Sequence, residues 1–277
     1  MGLPFISGRS SRGGSFAAGP AAPADTAVTE QDVLDLSPLW WLDPAAAYCF
    51  TDDGAGGVEE VSSDGDAVED WRDKTSNNRD FKVGTIAQMP LWRESGENSQ
   101  PYVDYTDTSY RLWVDNPGAH STPMTQYMVI AAVTSVTQNG KKLASGAGAI
   151  SYGHQSAGSG YDNNIGTTFS SDGDVYWGEQ SPTPQSLTTQ IIQIEFPGTS
   201  LPVMRINGGS ALTRTTTASA AEDDWTSSSG QNMFWGVWAG ATFLSYDYLA
   251  IANVTHDADT VFSYLGDKYD IAVEAVS

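Results

Sequence analysis

Cleaving a glycosidic bond takes two carboxyl groups roughly 5–10 Å apart. Glu195, in the apolar run Gln190 to Phe196 (QIIQIEF), is a candidate for one of them, but no second carboxylate accompanies it. Glu59-Glu60 falls in a loop-like stretch, and Glu69-Asp70 belongs to the segment around Trp71. No Gly-x-Ser-x-Gly elbow, phosphate loop or dinucleotide fingerprint occurs. No residue is assigned a catalytic role, and the expectation is a protein that is not an enzyme.

Oxygen-rich clusters are the next candidates: Asp52-Asp53, Asp64-Gly65-Asp66, Asp162-Asn163-Asn164, Asp172-Gly173-Asp174 and Glu222-Asp223-Asp224. Calcium needs six to eight such ligands. None of these clusters completes an EF-hand loop, so solvated turns are the ordinary reading and no cofactor is expected; calcium is the ion they would suit. His120, His154 and His256 lack zinc spacing. The single cysteine, Cys49, lies in an apolar stretch without a neighbour to lower its pKa, and reads as a buried structural thiol.

Holding a sugar asks for different groups: an aromatic face to stack on the ring, and Asp or Asn to bond its hydroxyls. Between 152 and 178 the chain has Tyr152, His154 and Tyr176 among glycines, with Tyr161, Asp162, Asn163, Asn164 and Trp177 as the candidate glycan-binding set. Tyr176 and Trp177 also fit the core of a strand. Trp225, beside Glu222-Asp223-Asp224, is a further candidate, whereas Trp235 and Trp238 read as core.

The chain of 277 residues has a net charge of -21, from 34 acidic and 13 basic side chains. So large an excess repels phosphate backbones and anionic membrane surfaces, so nucleic-acid and membrane partners are not expected. No run is long or apolar enough to span a bilayer.

The elements that must position these groups read as strands. Nine Trp, 12 Tyr and 9 Phe supply half-buried surface, while 28 Gly and 13 Pro punctuate it, which points to a sandwich or barrel. Strands are expected at 39–42, 68–73, 102–105, 110–114, 126–136, 150–154, 165–169, 175–178, 190–196, 203–206, 233–237 and 246–254. The apolar run 126–136 suits a central strand buried on both faces, and Asn139-Gly140 suits a hairpin. Only 258–269 reads as a helix, with Asp257 as its cap.

Residues 1–28, rich in Gly, Ser, Ala and Pro, have no periodicity and cannot bury enough apolar surface to fold alone. They are slightly basic, unlike the remainder. Arg9 and Arg12 follow the apolar cluster Leu3-Pro4-Phe5-Ile6 instead of preceding it, which is not the order of a secretory signal. The segment reads as a flexible tail or as an arm that orders on a partner through those six residues. The domain boundary is set at 37/38, with an extended arm over 1–37 and one domain over 38–277.

Three ordered pieces resemble the concanavalin A-like (laminin-G-type) jelly rolls of phage and bacterial surface proteins. They are Trp41-Leu42-Asp43; Val68, Trp71, Asp73, Lys74, Thr75 and Asn77; and Tyr264, Leu265, Lys268, Tyr269, Asp270 and Ile271. The last departs from the pattern by having Asp270 where glycine is usual, so the helix end is where this chain could differ. The resemblance implies an all-β, concanavalin A-like jelly-roll sandwich with an extended N-terminal arm and one short C-terminal helix. A Gly/Ser/Arg-rich start before such a module resembles head spikes, decoration proteins and tail fibres of tailed phages. The expectation is thus a non-catalytic structural protein on a phage-like particle, assembled in the host cytoplasm as a homo-oligomer. Its arm would bind other virion proteins, and its outer loops would face cell-surface polysaccharide. Two alternatives stand beside it: a free lectin-like module, and a glycan hydrolase or lyase.

Overall fold

The computed structural model describes residues 27–55, 57–83, 88–107, 110–114, 123–132, 148–151, 165–169, 173–177, 188–197, 203–212, 214–217, 233–236 and 243–277, in several strands through the backbone alone. The chain is an all-β sandwich of the jelly-roll kind with a short C-terminal helix. Its larger sheet takes β1 (Pro38–Leu42), β6 (Leu91–Arg93), β7 (Tyr102–Tyr105), β9 (Met124–Ala132), β13 (Gln190–Phe196), β14 (Val203–Ile206) and β17 (Phe243–Ile251). They run in the order β14-β13-β9-β17-β7-β6, and β1 pairs with the second half of β17. A six-stranded sheet is formed by β2 (Cys49–Asp52), β3 (Val58–Glu60), β4 (Asp70–Trp71), β5 (Phe81–Val83), β8 (Arg111–Val114) and β16 (Met233–Gly236). A third sheet orders β10 (Gly148–Ser151), β11 (Ile165–Phe169), β12 (Gly173–Trp177) and β15 (Arg214–Thr217) in sequence. All pairings between these strands are antiparallel.

The larger sheet is buried on both faces because its strands alternate between two apolar clusters. On β1, Trp40 and Leu42 face the six-stranded sheet, joining Trp71, Phe81 and Leu112, while Trp41 faces the other way. There it meets helix α2 (Ala258–Tyr269) through Val261, Phe262, Leu265 and Tyr269. Each such large side chain, once buried, contributes on the order of 1.5–3 kcal/mol. As expected for a central strand, every described side chain of β9, from Met124 to Ala131, is buried.

Helix α2 has the bounds the sequence indicates. Asp270 takes the left-handed conformation (φ 53°) that glycine usually supplies there, and an aspartate tolerates that region better than most side chains. Asp257 precedes the helix without capping its backbone; its carboxylate accepts from the Thr260 hydroxyl. β17 starts earlier than expected and ends at Ile251 instead of 254. The reason is Asn253, whose Oδ1 accepts from the N–H groups of Thr255 and His256 and turns the chain off the sheet.

Part of the span grouped with the extended arm is helical. Helix α1 (Glu30–Leu34) has a reciprocal capping box between Thr29 and Asp32, and its Val33 is fully buried against the α2 side. Five residues are too few to display helical periodicity. Leu3, Pro4, Phe5, Ile6, Arg9 and Arg12 lie outside the described residues, as do 133–136 and the Asn139-Gly140 turn. No described helix is long and apolar enough to cross a membrane.

Candidate functional site

The three sequence pieces behind the jelly-roll resemblance converge on one place: a buried ionic cluster between β1, β17 and α2. Lys268 Nζ lies 2.7 Å from Asp247 and 3.2 Å from Asp43. Lys74 Nζ lies 2.7 Å from Asp43 and 2.6 Å from Glu30 of α1. Asp247 also accepts from the Trp41 indole N–H at 2.7 Å and the Tyr269 hydroxyl at 2.6 Å. Asp73 holds the neighbouring turn by accepting from the N–H groups of Trp41, Thr75 and Arg79, and Asn77 donates to the carbonyls of Pro38 and Leu39. Trp71 donates its indole N–H to the Asp43 carbonyl.

A β-bulge makes the cluster possible. The register with β9 shifts between Ser245 and Tyr248, which turns the consecutive Tyr246 and Asp247 to the same, helix-facing side. The electrostatics follow from burial. Burial lifts the Asp247 carboxyl above the usual range, and the Lys268 ammonium offsets that only in part. For Asp43 the burial effect is outweighed by the attraction of Lys268 and Lys74, and its carboxyl stays below the usual range. Burial opposes the charge of Lys268, but Asp247 and Asp43 override it and hold the ammonium well above an ordinary lysine. Three carboxylates thus share two ammonium groups, and the cluster stitches helix to sheet.

A cleft of about 480 Å³ opens beside it, lined by Val28, Glu30, Asp43, Gln100, Tyr264 and Lys268 among others. The jelly-roll resemblance attaches Trp41, Asp73, Lys74 and Lys268 to the fold, and that is where they serve; the cleft itself has no linear signal, because its walls come from four distant segments.

Glu195 is on β13, where its carboxylate is ion-paired with Arg205 of β14, whose guanidinium also donates to Gln193. Among the described residues, no three or more His, Cys, Asp and Glu side chains form a group that could hold a metal ion. Asp52, Asp53 and Asp66 instead accept backbone N–H groups of their own turns. Cys49 is buried, and burial pushes its thiol pKa up. Trp40, Trp41, Trp71 and Trp92 are all core residues.

Tyr161, Asp162, Asn163 and Asn164 lie outside the described residues, as do Tyr152, His154 and Trp225. Trp177 ends β12 and pairs with Ile165, the residue immediately after Asn164, and with Arg214 of β15. The backbone register therefore brings Trp177 to the end of the four-stranded sheet at which the 152–164 connection enters β11.

No family model matches the sequence, and no curated protein matches it. Solved structures do share its fold. The receptor-binding domain of the botulinum neurotoxin C/D mosaic serotype matches 83% of this chain and 51% of its own, at 9% identity and a TM-score of 0.50. The botulinum neurotoxin type G receptor-binding domain matches 84% and 51%, at 10% identity and a TM-score of 0.49. The serotype D ligand-binding domain, solved with N-acetylneuraminic acid, matches 85% and 51%, at 9% identity and a TM-score of 0.45. The chain spans about half the length of these domains, and at such identities the likeness is one of fold.

Proposed function

We propose that the chain is a non-catalytic binding domain that recognises cell-surface glycans at the end of its four-stranded sheet, through Tyr161, Asp162, Asn163, Asn164 and Trp177. The observation that carries this reading is the pairing of Trp177 with Ile165. It sets an aromatic residue opposite the strand residue that directly follows an Asp/Asn-rich stretch of sequence, and aromatic and Asp/Asn side chains are the two kinds of group a sugar needs. The fold shared with a receptor-binding domain agrees with it. Glu195, the carboxylate a hydrolase would have used, is engaged by Arg205.

The same reading extends to location. The domain is displayed on a tailed-phage or phage-like particle as a symmetric oligomer, held to other virion proteins by the arm that contains Leu3, Pro4, Phe5, Ile6, Arg9 and Arg12. Multivalent display compensates for a small contact area per arm and per glycan.

Glycan-array screening of the full chain, followed by calorimetry, tests the first part. A specific polysaccharide signal is expected, weakened at least tenfold by Trp177→Ala and by Asn163→Ala. Absence of any signal, or binding indifferent to both changes, overturns it. Release of reducing ends from polysaccharide, lost in Glu195→Gln, would return the hydrolase reading. Deleting residues 2–26 is expected to leave a folded protein that no longer loads onto particles; truncated protein that still loads rejects the arm.

A further inference from the structure

Outside the ionic cluster, the helix-facing side of the larger sheet has a second polar system. Arg205 Nη1 donates to Gln193 Oε1 (3.1 Å), Gln193 Nε2 donates to the Tyr127 hydroxyl (2.9 Å), and that hydroxyl lies 2.6 Å from His256 Nε2. His256 Nδ1 lies 3.2 Å from Asn253 Oδ1. The chain crosses β14, β13 and β9 and finishes on the turn that leads into α2. Tyr127 and Gln193 have no solvent exposure.

The direction of every bond in this chain is fixed by its two ends. Arginine can only donate, so the Gln193 oxygen faces Arg205 and its amide nitrogen faces Tyr127. At the other end, Asn253 Oδ1 already accepts from two backbone N–H groups, so it is the oxygen that meets His256 Nδ1, which must donate. Nε2 is then the bare nitrogen, and it accepts from the Tyr127 hydroxyl. The arrangement therefore requires a neutral imidazole. A proton added at Nε2 would leave the Tyr127 hydroxyl hydrogen without its acceptor inside the core, at a cost of about 1–3 kcal/mol.

We propose that His256 is an acid-sensitive latch: its protonation releases the 252–257 turn, and with it the start of α2, from the outer face of β9. The groups around it support this. Tyr127 from β9 packs edge-on against the imidazole and Phe262 of α2 packs against Tyr127, and neither offers a negative charge. Glu195 and Arg205 lie beyond Gln193 and neutralise each other. Asp259 of α2 is engaged by the Val276 N–H. Among the described residues, the hydrogen bond with Asn253 and the Asp257 carboxylate favour the imidazolium, and burial outweighs both, keeping His256 below its ordinary pKa. The turn has one further tie to β9, from the Thr125 hydroxyl to the Asn253 carbonyl.

Two measurements on the full chain test the latch. In a histidine NMR titration, His256 is expected to titrate below the ordinary histidine value of about 6.5, with the Gln193 side-chain amide shifting at the same midpoint. Tyr127→Phe, which removes the donor to Nε2, is expected to raise that midpoint. In hydrogen exchange, the protection factors of the Thr255 and His256 amides are expected to fall at least tenfold between pH 7.5 and pH 5. Those of β9 stay constant, and His256→Gln abolishes the fall. An unmoving Gln193 amide, pH-independent protection in the wild type, or an unchanged fall in His256→Gln overturns the proposal.

Discussion

Trp41 donates its indole N–H to Asp247 at 2.7 Å across 206 residues of sequence, tying the first strand of the domain to one of its last. Asp247 is fully buried, and Lys268 and Tyr269 complete its coordination from the C-terminal helix. A buried carboxylate with three donors is tolerable; one deprived of its cation is not.

Lys268→Met should therefore destabilise the domain by about 3–5 kcal/mol, because it leaves Asp247 and part of Asp43 uncompensated in the core. Urea unfolding followed by tryptophan fluorescence measures it. Replacing Asp247 together with Lys268 by Leu and Met should recover part of the loss, since two apolar groups leave no orphan charge.

Alkaline stability follows from the same pair of lysines. Burial opposes their charge, but Asp43 acting on Lys74, and Asp247 and Asp43 acting on Lys268, hold both above the ordinary lysine value. A raised folded-state pKa stabilises fully below the unfolded value, about 10.5, and the gain is lost as pH climbs above it toward the folded value. Urea midpoints measured from pH 8 to pH 11 should be flat at first and fall near the top. In Lys268→Met the fall should be shallower.

Truncation separates the arm from the domain. Removing residues 2–26 should leave the melting temperature within about 1 °C. Removing 2–36 deletes α1, with the buried Val33 and the Glu30 partner of Lys74, and should lower stability by about 2–3 kcal/mol. Thermal melts of the two truncations decide where the globular part starts.

Gly208→Ala should loosen the C-terminal segment. Gly208 has φ +82°, and a Cβ there would collide with the Glu274 carbonyl oxygen, in the place where Glu274 bridges to the Asn207-Gly208-Gly209 turn. The strain costs about 1–3 kcal/mol, and it should appear as faster hydrogen exchange at Glu274 and Ser277.

Much of this architecture is legible in the residues alone. Short apolar runs mark β1, β9 and β13, and apolar–polar alternation marks β7, because a strand buried on both faces needs apolar side chains throughout and one buried on a single face needs them at every second position. The spacing of Val261, Tyr264, Leu265 and Lys268 fixes α2 because the helical period is 3.6. Motif spacing also singles out Trp41, Asp43, Lys74 and Lys268 as a set, but a linear pattern contains no distances, so it cannot say that they meet. Only the tertiary structure decides that, through the Ser245–Tyr248 bulge that breaks the two-residue period and turns Asp247 toward Lys268. The same holds for Arg205, Gln193, Tyr127 and His256. Their union depends on strand register between β14, β13 and β9 and on the turn at Asn253, and no local propensity specifies which strands become neighbours.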